Sequence, residues 1–411
     1  MIEFMTFIYL FYAFIAFYFL FLFLIIYLQN KKKIFSYPKL TKNYSLSIVV
    51  PCYNAEKVIG KTIENLLKSD YKGLKKIIVV DDSSTDDSYK IAKQYEKKYP
   101  SKVKVVKTPK NTGCAAGSKN YGAKFVKTEL IGFTDDDSFP KKDAIRKMIG
   151  FFDNKKVAAV TSSVLVKKRE KLLENLQSVE YKVIVFTRKL LSFIDAVYVT
   201  PGPLAVYRRS AFEEVNGFDE SNITEDIEIT WHFVSKGYKV DMGVPSKVYT
   251  VAHDTFKAWY RQRLRWNIGG IQTINQYKKS FLKAGMLGLF ILPFFVLSWF
   301  LGLFGIFILA YRIFRRLVVQ YLAATYSVQA QTAILTLREI NLTPNVLIFF
   351  GAVLFILSLS FTILALLYSR EKEFKNHNLL IILIYAIIYL LAYPFILITS
   401  MYKFVRGKHS W

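Results

Sequence analysis

Between Phe4 and Asn30 the chain carries no charged residue. Residues 6–28 alone are long enough, at about 1.5 Å per residue, to cross about 30 Å of hydrocarbon as a helix. Such a segment constrains everything after it, because lipid offers no hydrogen-bond partner to a backbone that is not helical. The run is too long for the apolar part of a cleavable signal peptide, it starts beside Glu3 rather than lysines, and no small-residue cleavage site follows. Lys31, Lys32 and Lys33 close it, and by the positive-inside rule they put the next domain in the cytoplasm. Residues 284–311, 340–369 and 376–402 also lack formal charge over a spanning length. Residues 317–337 are uncharged too, but they hold Gln320, Gln329 and Gln331 and are flanked by Arg315, Arg316 and Arg338. They read either as a further tail span or as an interfacial amphipathic helix, which leaves three or four C-terminal helices.

A chain that is 53% hydrophobic and 16% aromatic suits this partition between lipid and water. Its 57 Lys and Arg against 31 Asp and Glu leave a formal charge of +26, which attracts polyanions: nucleic acid, an anionic membrane face or phosphate-bearing substrates. The lysines are dispersed in pairs such as Lys75-Lys76, Lys97-Lys98 and Lys155-Lys156 without a groove-reading motif, so nucleic acid is the remote alternative and is not expected as a partner. Two cysteines, Cys52 and Cys114, make no disulfide framework. Four scattered histidines argue against zinc.

From about residue 46 to 280 the texture is that of a soluble domain. Runs at 46–50, 76–80, 103–106, 130–133 and 157–160 are short and rich in β-branched residues, as in strands buried on both faces. Helical spacing fills 57–69, 86–99, 115–126 and 141–152. Alternation of this kind implies an α/β domain with a mostly parallel sheet, whose ligands bind beyond the carboxyl ends of the strands. The chemistry-bearing motifs do follow strands. Pro51-Cys52-Tyr53-Asn54 comes after the first, Asp81-Asp82-Ser83-Ser84-Thr85-Asp86 after the second and Asp135-Asp136-Asp137 after the fourth. The second group also reads as a turn capping a helix. Three adjacent carboxylates read either as an acidic cap or as the oxygen ligands of Mg²⁺ or Mn²⁺. Thr224-Glu225-Asp226 opens a helix to about Lys236 and doubles as an N-cap with acids at the positive helix end. Arg261 to Trp266 fits a basic helix on anionic lipid as readily as a binding site.

Taken in order, these five motifs resemble the glycosyltransferase family 2 pattern, from Pro51-Cys52-Tyr53-Asn54 to the Q-x-x-R-W of membrane polymerising synthases in Gln262-Arg263-Leu264-Arg265-Trp266. Thr200-Pro201-Gly202-Pro203-Leu204 is similar to the acceptor-side segment of hyaluronan, chitin and poly-N-acetylglucosamine synthases. The resemblance implies a GT-A (Rossmann-like) fold, an inverting mechanism and a nucleotide-diphosphate sugar donor. Carried over, Tyr53 stacks on uracil and Asp82 accepts from its imide. Asp135 lies by the ribose or in the metal shell, and Asp137 ligates the metal, Mg²⁺ or Mn²⁺. Asp226, beside Glu225, is the general base. Arg265, with Arg263, clamps the diphosphate next to Gln262, and Trp266 floors the acceptor sugar. Two departures stand out: Asp-Asp-Ser-Ser replaces the common Asp-Asp-Gly-Ser, and no gating loop like that of bacterial cellulose synthase follows Trp266.

The expected organisation is an N-terminal transmembrane helix with a basic stop (1–43), a GT-A catalytic domain (44–255), an interfacial helix (256–283) and a C-terminal membrane region (284–411). The expected activity is a cytoplasm-facing, plasma-membrane hexosyltransferase or N-acetylhexosaminyltransferase, moving sugar from a UDP-sugar to a growing polysaccharide, with export a possible coupled step. Transfer of one sugar to a lipid-linked acceptor such as polyprenyl phosphate is the alternative.

Overall fold

The computed structural model describes residues 2–283, 285–329, 346–368 and 378–407. Eight strands form one sheet: β1 Leu46–Cys52, β2 Leu74–Asp81, β3 Val103–Lys107, β4 Leu130–Phe133, β5 Phe139–Pro140, β6 Val157–Val166, β7 Ala205–Arg208 and β8 Lys239–Thr250. Their order across the sheet is β3-β2-β1-β4-β7-β6-β8-β5. The first half is parallel, as the buried β-branched runs imply, with Cys52 opposite Asp81 and Val49 opposite Phe133. The second half is mixed, because β7 inserts antiparallel between β4 and β6 and β5 runs antiparallel to β8. The expectation of a mostly parallel sheet holds, since β6 also runs parallel to β8, but the antiparallel β7 and β5 make the second half mixed.

Helices Ile2–Asn30 (α1), Ile59–Leu67 (α2), Ser88–Lys98 (α3), Ala115–Ala123 (α4), Arg146–Ile149 (α5), Leu172–Ser192 (α6), Arg209–Glu214 (α7), Glu225–Ser235 (α8) and Phe256–Tyr277 (α9) complete the first 277 residues. Helix α4 is built of small residues because it lies directly on the sheet: a Cβ on Gly122 would stand 2.5 Å from Val49 and 2.6 Å from Val80. The helix expected over 141–152 shortens to α5 and a 3-10 turn, Gly150–Asp153, where the linker from the membrane passes so close that a Cβ on Gly150 would meet the Pro38 carbonyl oxygen at 2.3 Å. Helix α6 escapes the apolar pattern because it buries Glu174, Gln177, Glu180, Lys182, Arg188 and Lys189.

Among the described residues, four helices are long and apolar enough to cross a membrane: 7–33, 287–329, 349–368 and 379–405. The tail consists of Leu292–Gln329 (α10), Val346–Tyr368 (α11), Leu379–Ile384 (α12) and Ala392–Val405 (α13), with α12 and α13 joined through a π-turn. Residues 317–329 continue α10 and make no separate span, and 330–337 lie outside the described residues. Helix α1 meets α11 through the Tyr27 and Tyr368 hydroxyls at 2.8 Å. Around Phe186 of α6, rings from Tyr27, Phe361 and Tyr368 join the domain to these helices.

Candidate active site

Parallel strands β1, β2 and β4 end side by side, so the segments after them share one edge. Asn54 and Ser83 both adopt left-handed backbone, φ +50° and +58°, which folds the first two segments into interlocked turns. The Asn54 side-chain oxygen accepts from the Thr85 N–H at 2.9 Å, and the Asn54 N–H donates to Ser84 Oγ at 3.1 Å. Tyr53 stands on this edge with its ring half exposed. The Asp82 carboxylate is taken up by the chain itself, accepting from the Thr108 hydroxyl at 2.8 Å, the Thr112 hydroxyl at 2.7 Å and the Thr112 N–H at 3.0 Å. The neighbouring Asp81 carboxylate is buried and has no hydrogen-bond partner among the described residues.

The acids after β4 meet those of α8 around one lysine. Lys119 of α4 is buried, 2.7 Å from Glu225 and 3.7 Å from Asp135. Burial alone would lower its pKa, but Glu225 and Asp135 outweigh burial and hold Lys119 above its ordinary range. Asp226 is pushed up to about 7, by burial first and then by the Glu225 charge, with Lys119 and Arg265 opposing. Burial and the adjacent carboxylates likewise raise Asp136 to about 7 and Asp137 to about 6. Asp135 is also raised by burial, against the pull of Lys119. The strap before β7 completes the floor. A Cβ on Gly202 would stand 2.3 Å from Asp135, and the Thr200 hydroxyl, held by the Tyr207 O–H at 2.8 Å, touches the Asp226 carbonyl oxygen. Thr224 makes no side-chain cap bond to α8; its hydroxyl donates to the Asn222 side-chain oxygen at 3.4 Å, and α9 crosses it where a Cβ on Gly269 would meet Thr224 Oγ1 at 2.1 Å.

Helix α9 presents its Q-x-x-R-W residues in two directions. Arg265 is exposed, and its charge acts on Asp135 and Asp226. Arg263 is buried, and all three of its guanidinium nitrogens are engaged within the protein: by Glu180 of α6, by the Tyr393 hydroxyl of α13 and by the Gln262 side chain. Tyr389 donates to Glu180 at 2.7 Å and accepts from the Trp259 indole N–H at 2.6 Å. Trp266 packs against Val164, Val166, Tyr181 and Ala252, with the Arg263 guanidinium 4.1 Å from its ring centroid. The structure therefore gathers Asp135, Asp137, Glu225, Asp226 and Arg265, and sets Arg263 in a structural tie. Lys119 was missed by sequence reasoning. Its one signal is a lysine within Ala115-Ala116-Gly117-Ser118-Lys119, a stretch of small residues fit only for close packing.

The donor set of Asp135 and Asp137 suits a hard divalent cation whose remaining ligands come from substrate phosphates. Among the described residues, Asp137 Oδ1 has long contacts, 3.4 Å to Ser138 and 3.5 Å to Thr250. No three His, Cys, Asp or Glu side chains converge as a protein-made cage among the described residues.

A Rossmann-like mixed sheet that gathers carboxylates beyond its strand ends is the architecture of the GT-A fold, here flanked by membrane-capable helices. It superposes, with a TM-score of 0.61 over 97% of this chain and 99% of the other at 18% identity, on the mannosyltransferase PcManGT from Pyrobaculum calidifontis, solved with GDP-Man and Mn²⁺. Residues 47–215 match the family model Glycosyl transferase family 2, and the chain carries a domain of that family. It is similar to the poly-beta-1,6-N-acetyl-D-glucosamine synthases of Staphylococcus epidermidis, at 28% identity over 251 residues, and of Staphylococcus aureus (strain COL), at 26%. Each match spans 61% of this chain and 60% of the relative's length.

Proposed function

We propose that the protein is an inverting, cation-dependent glycosyltransferase of the plasma membrane that takes a UDP-sugar from the cytoplasm and extends a β-linked polysaccharide. The observation that carries this reading is the convergence of Asp135, Glu225, Asp226, Lys119 and Arg265 at one sheet edge, under the strap bearing Gly202, with Asp137 following Asp135 on the same loop and acted on by its charge. The named synthases among its relatives support polymer extension, and the Mn²⁺ of the superposing mannosyltransferase supports a divalent cation.

Asp226 takes the proton of the acceptor hydroxyl as its oxygen attacks the anomeric carbon from the face opposite the diphosphate. Its raised pKa suits that task, since a base must be able to hold the proton it receives. Lys119 occupies Glu225 in an ion pair at 2.7 Å, so that of the two acids it is Asp226 that remains available. Asp137 and Asp135 would hold Mn²⁺ or Mg²⁺, which would supply neutralisation of the negative charge on the diphosphate, and Arg265 adds a positive charge at the same carboxylates. Trp266 offers the acceptor sugar an apolar face.

Purified protein in lipid nanodiscs, incubated with a panel of radiolabelled donors that includes UDP-N-acetylglucosamine, UDP-glucose and GDP-mannose, should form a polymer from one UDP-sugar. EDTA should stop the reaction and Mn²⁺ restore it. Turnover in chelator would remove the cation assignment. A single-sugar lipid product, or use of GDP-mannose alone, would remove the polymerase reading.

A further inference from the structure

A second concavity lies across the sheet edge from the acidic cluster. Strand β5 begins two residues after Asp137 and pairs with β8, Phe139 opposite Tyr249. Successive residues of a strand face opposite ways. Thr250 accordingly turns its hydroxyl toward Asp137, while Tyr249 lines a cavity of about 630 Å³ on the other side. Lys61 of α2, Lys68 just past its end, Lys141 and Lys142 after β5, and Lys167 after β6 surround that cavity, and none of its lining residues is acidic. Its walls are partly aromatic: Lys167 Nζ lies 3.5 Å, and Lys61 Nζ 5.7 Å, from the Phe139 ring centroid. Lys61, Lys68, Lys142 and Lys167 make no ion pair among the described residues.

The Lys61, Lys68, Lys142 and Lys167 ammonium groups around one cavity repel each other, and a ligand that concentrates negative charge relieves all four together. Burial and the Lys61 charge already push Lys167 down to about 8. Lysine meets phosphate as a compact point charge, without the planar fork that arginine brings to a single carboxylate. The volume falls within the range of small-molecule sites, about 300–1,000 Å³. Every lining residue lies between Lys61 and Tyr249, so no membrane helix contributes to the wall. We propose that this cavity is a second anion site, separate from the donor site, for a small soluble ligand carrying two or more linked phosphate groups. The proposal does not rest on the glycosyl-transfer reading.

Calorimetric titration of the full chain in neutral-lipid nanodiscs with inorganic tripolyphosphate tests it. EDTA is present throughout, so that cation-dependent diphosphate binding at the acidic cluster is silent. The wild type should take up one equivalent saturably. Lys61→Gln/Lys167→Gln should weaken binding by about tenfold to a hundredfold, the loss expected for one or two charge-assisted contacts. Lys68→Gln/Lys142→Gln provides a second pair should the first fold poorly, and Lys97→Gln/Lys98→Gln on α3 removes equal charge elsewhere and should leave affinity unchanged. Absence of saturable binding, or equal weakening by pocket and control pairs, would overturn the site. Suppression of binding in nanodiscs of anionic lipid would assign the lysines to headgroups and overturn the soluble ligand.

Discussion

Asp226 is held at about 7 because burial and Glu225 both disfavour its charge. Its ordinary value is 3.8, so the folded protein binds this proton more tightly than the unfolded chain does. Ionising it costs stability, progressively as pH rises from about 4 to about 7. Activity runs the other way, since only the carboxylate accepts a proton. The kcat/KM of transfer should therefore fall as pH drops through about 7. Asp226→Asn should retain donor binding while transfer falls by about 10²- to 10⁴-fold, the usual size of a general-base effect. A variant that transfers at near-normal rate would show Asp226 to be only a helix-start acid. Ser83 illustrates a different residue-scale point. The position where the family commonly has glycine carries φ +58° here, so the departure from Asp-Asp-Gly-Ser retains the backbone turn and its serine hydroxyl donates to the Thr108 carbonyl oxygen at 3.1 Å.

At the scale of elements, α9 joins the catalytic edge to the membrane tail through Arg263 and Glu180, with Tyr389 and Tyr393 closing the tie from the last membrane-capable helix. Removing one partner of a buried pair leaves the other charge uncompensated, at a cost of about 3–5 kcal/mol. Arg263→Ala should thus lower the melting temperature strongly and leave UDP affinity of the folded fraction unchanged. Arg265→Ala, at an exposed position, should do the reverse. Thermal melts beside UDP titrations in Mn²⁺ separate the two, and a loss of UDP affinity in folded Arg263→Ala would return Arg263 to the diphosphate. Both arginines were legible as one basic motif. Which faces substrate was not, because on a helix two residues two positions apart point to different sides, and the partners that decide are Glu180 and Tyr393, distant in sequence.

At the scale of the whole molecule, the proposed orientation rests on Lys31 to Lys33 at the end of α1. Cysteine placed at Lys97, on a charged helix of the sheet domain, should resist an impermeant thiol reagent in intact cells and react once the membrane is opened. Ready labelling of intact cells would reverse the orientation. Helix α10 continues past Arg312, Arg315 and Arg316 to Gln329, so residues 317–329 add no crossing of their own.

Charge and apolar run length alone mark the helices able to cross a membrane, apart from the open reading of residues 317–337, because helices in lipid must satisfy their backbone locally. Short buried runs likewise announce β1 to β4 and the loops beyond them, because a strand covered on both faces has no polar alternative. What only tertiary structure decided is what lies between those signals. Strand β7 enters antiparallel, α6 buries eight polar side chains inside the protein, Lys119 pairs with Glu225, and the Asp82 carboxylate is occupied by Thr108 and Thr112. Each depends on a partner tens to hundreds of residues away. A polar residue read in its own window looks solvated, and only the fold, by excluding water around it, makes its charge and its partner matter.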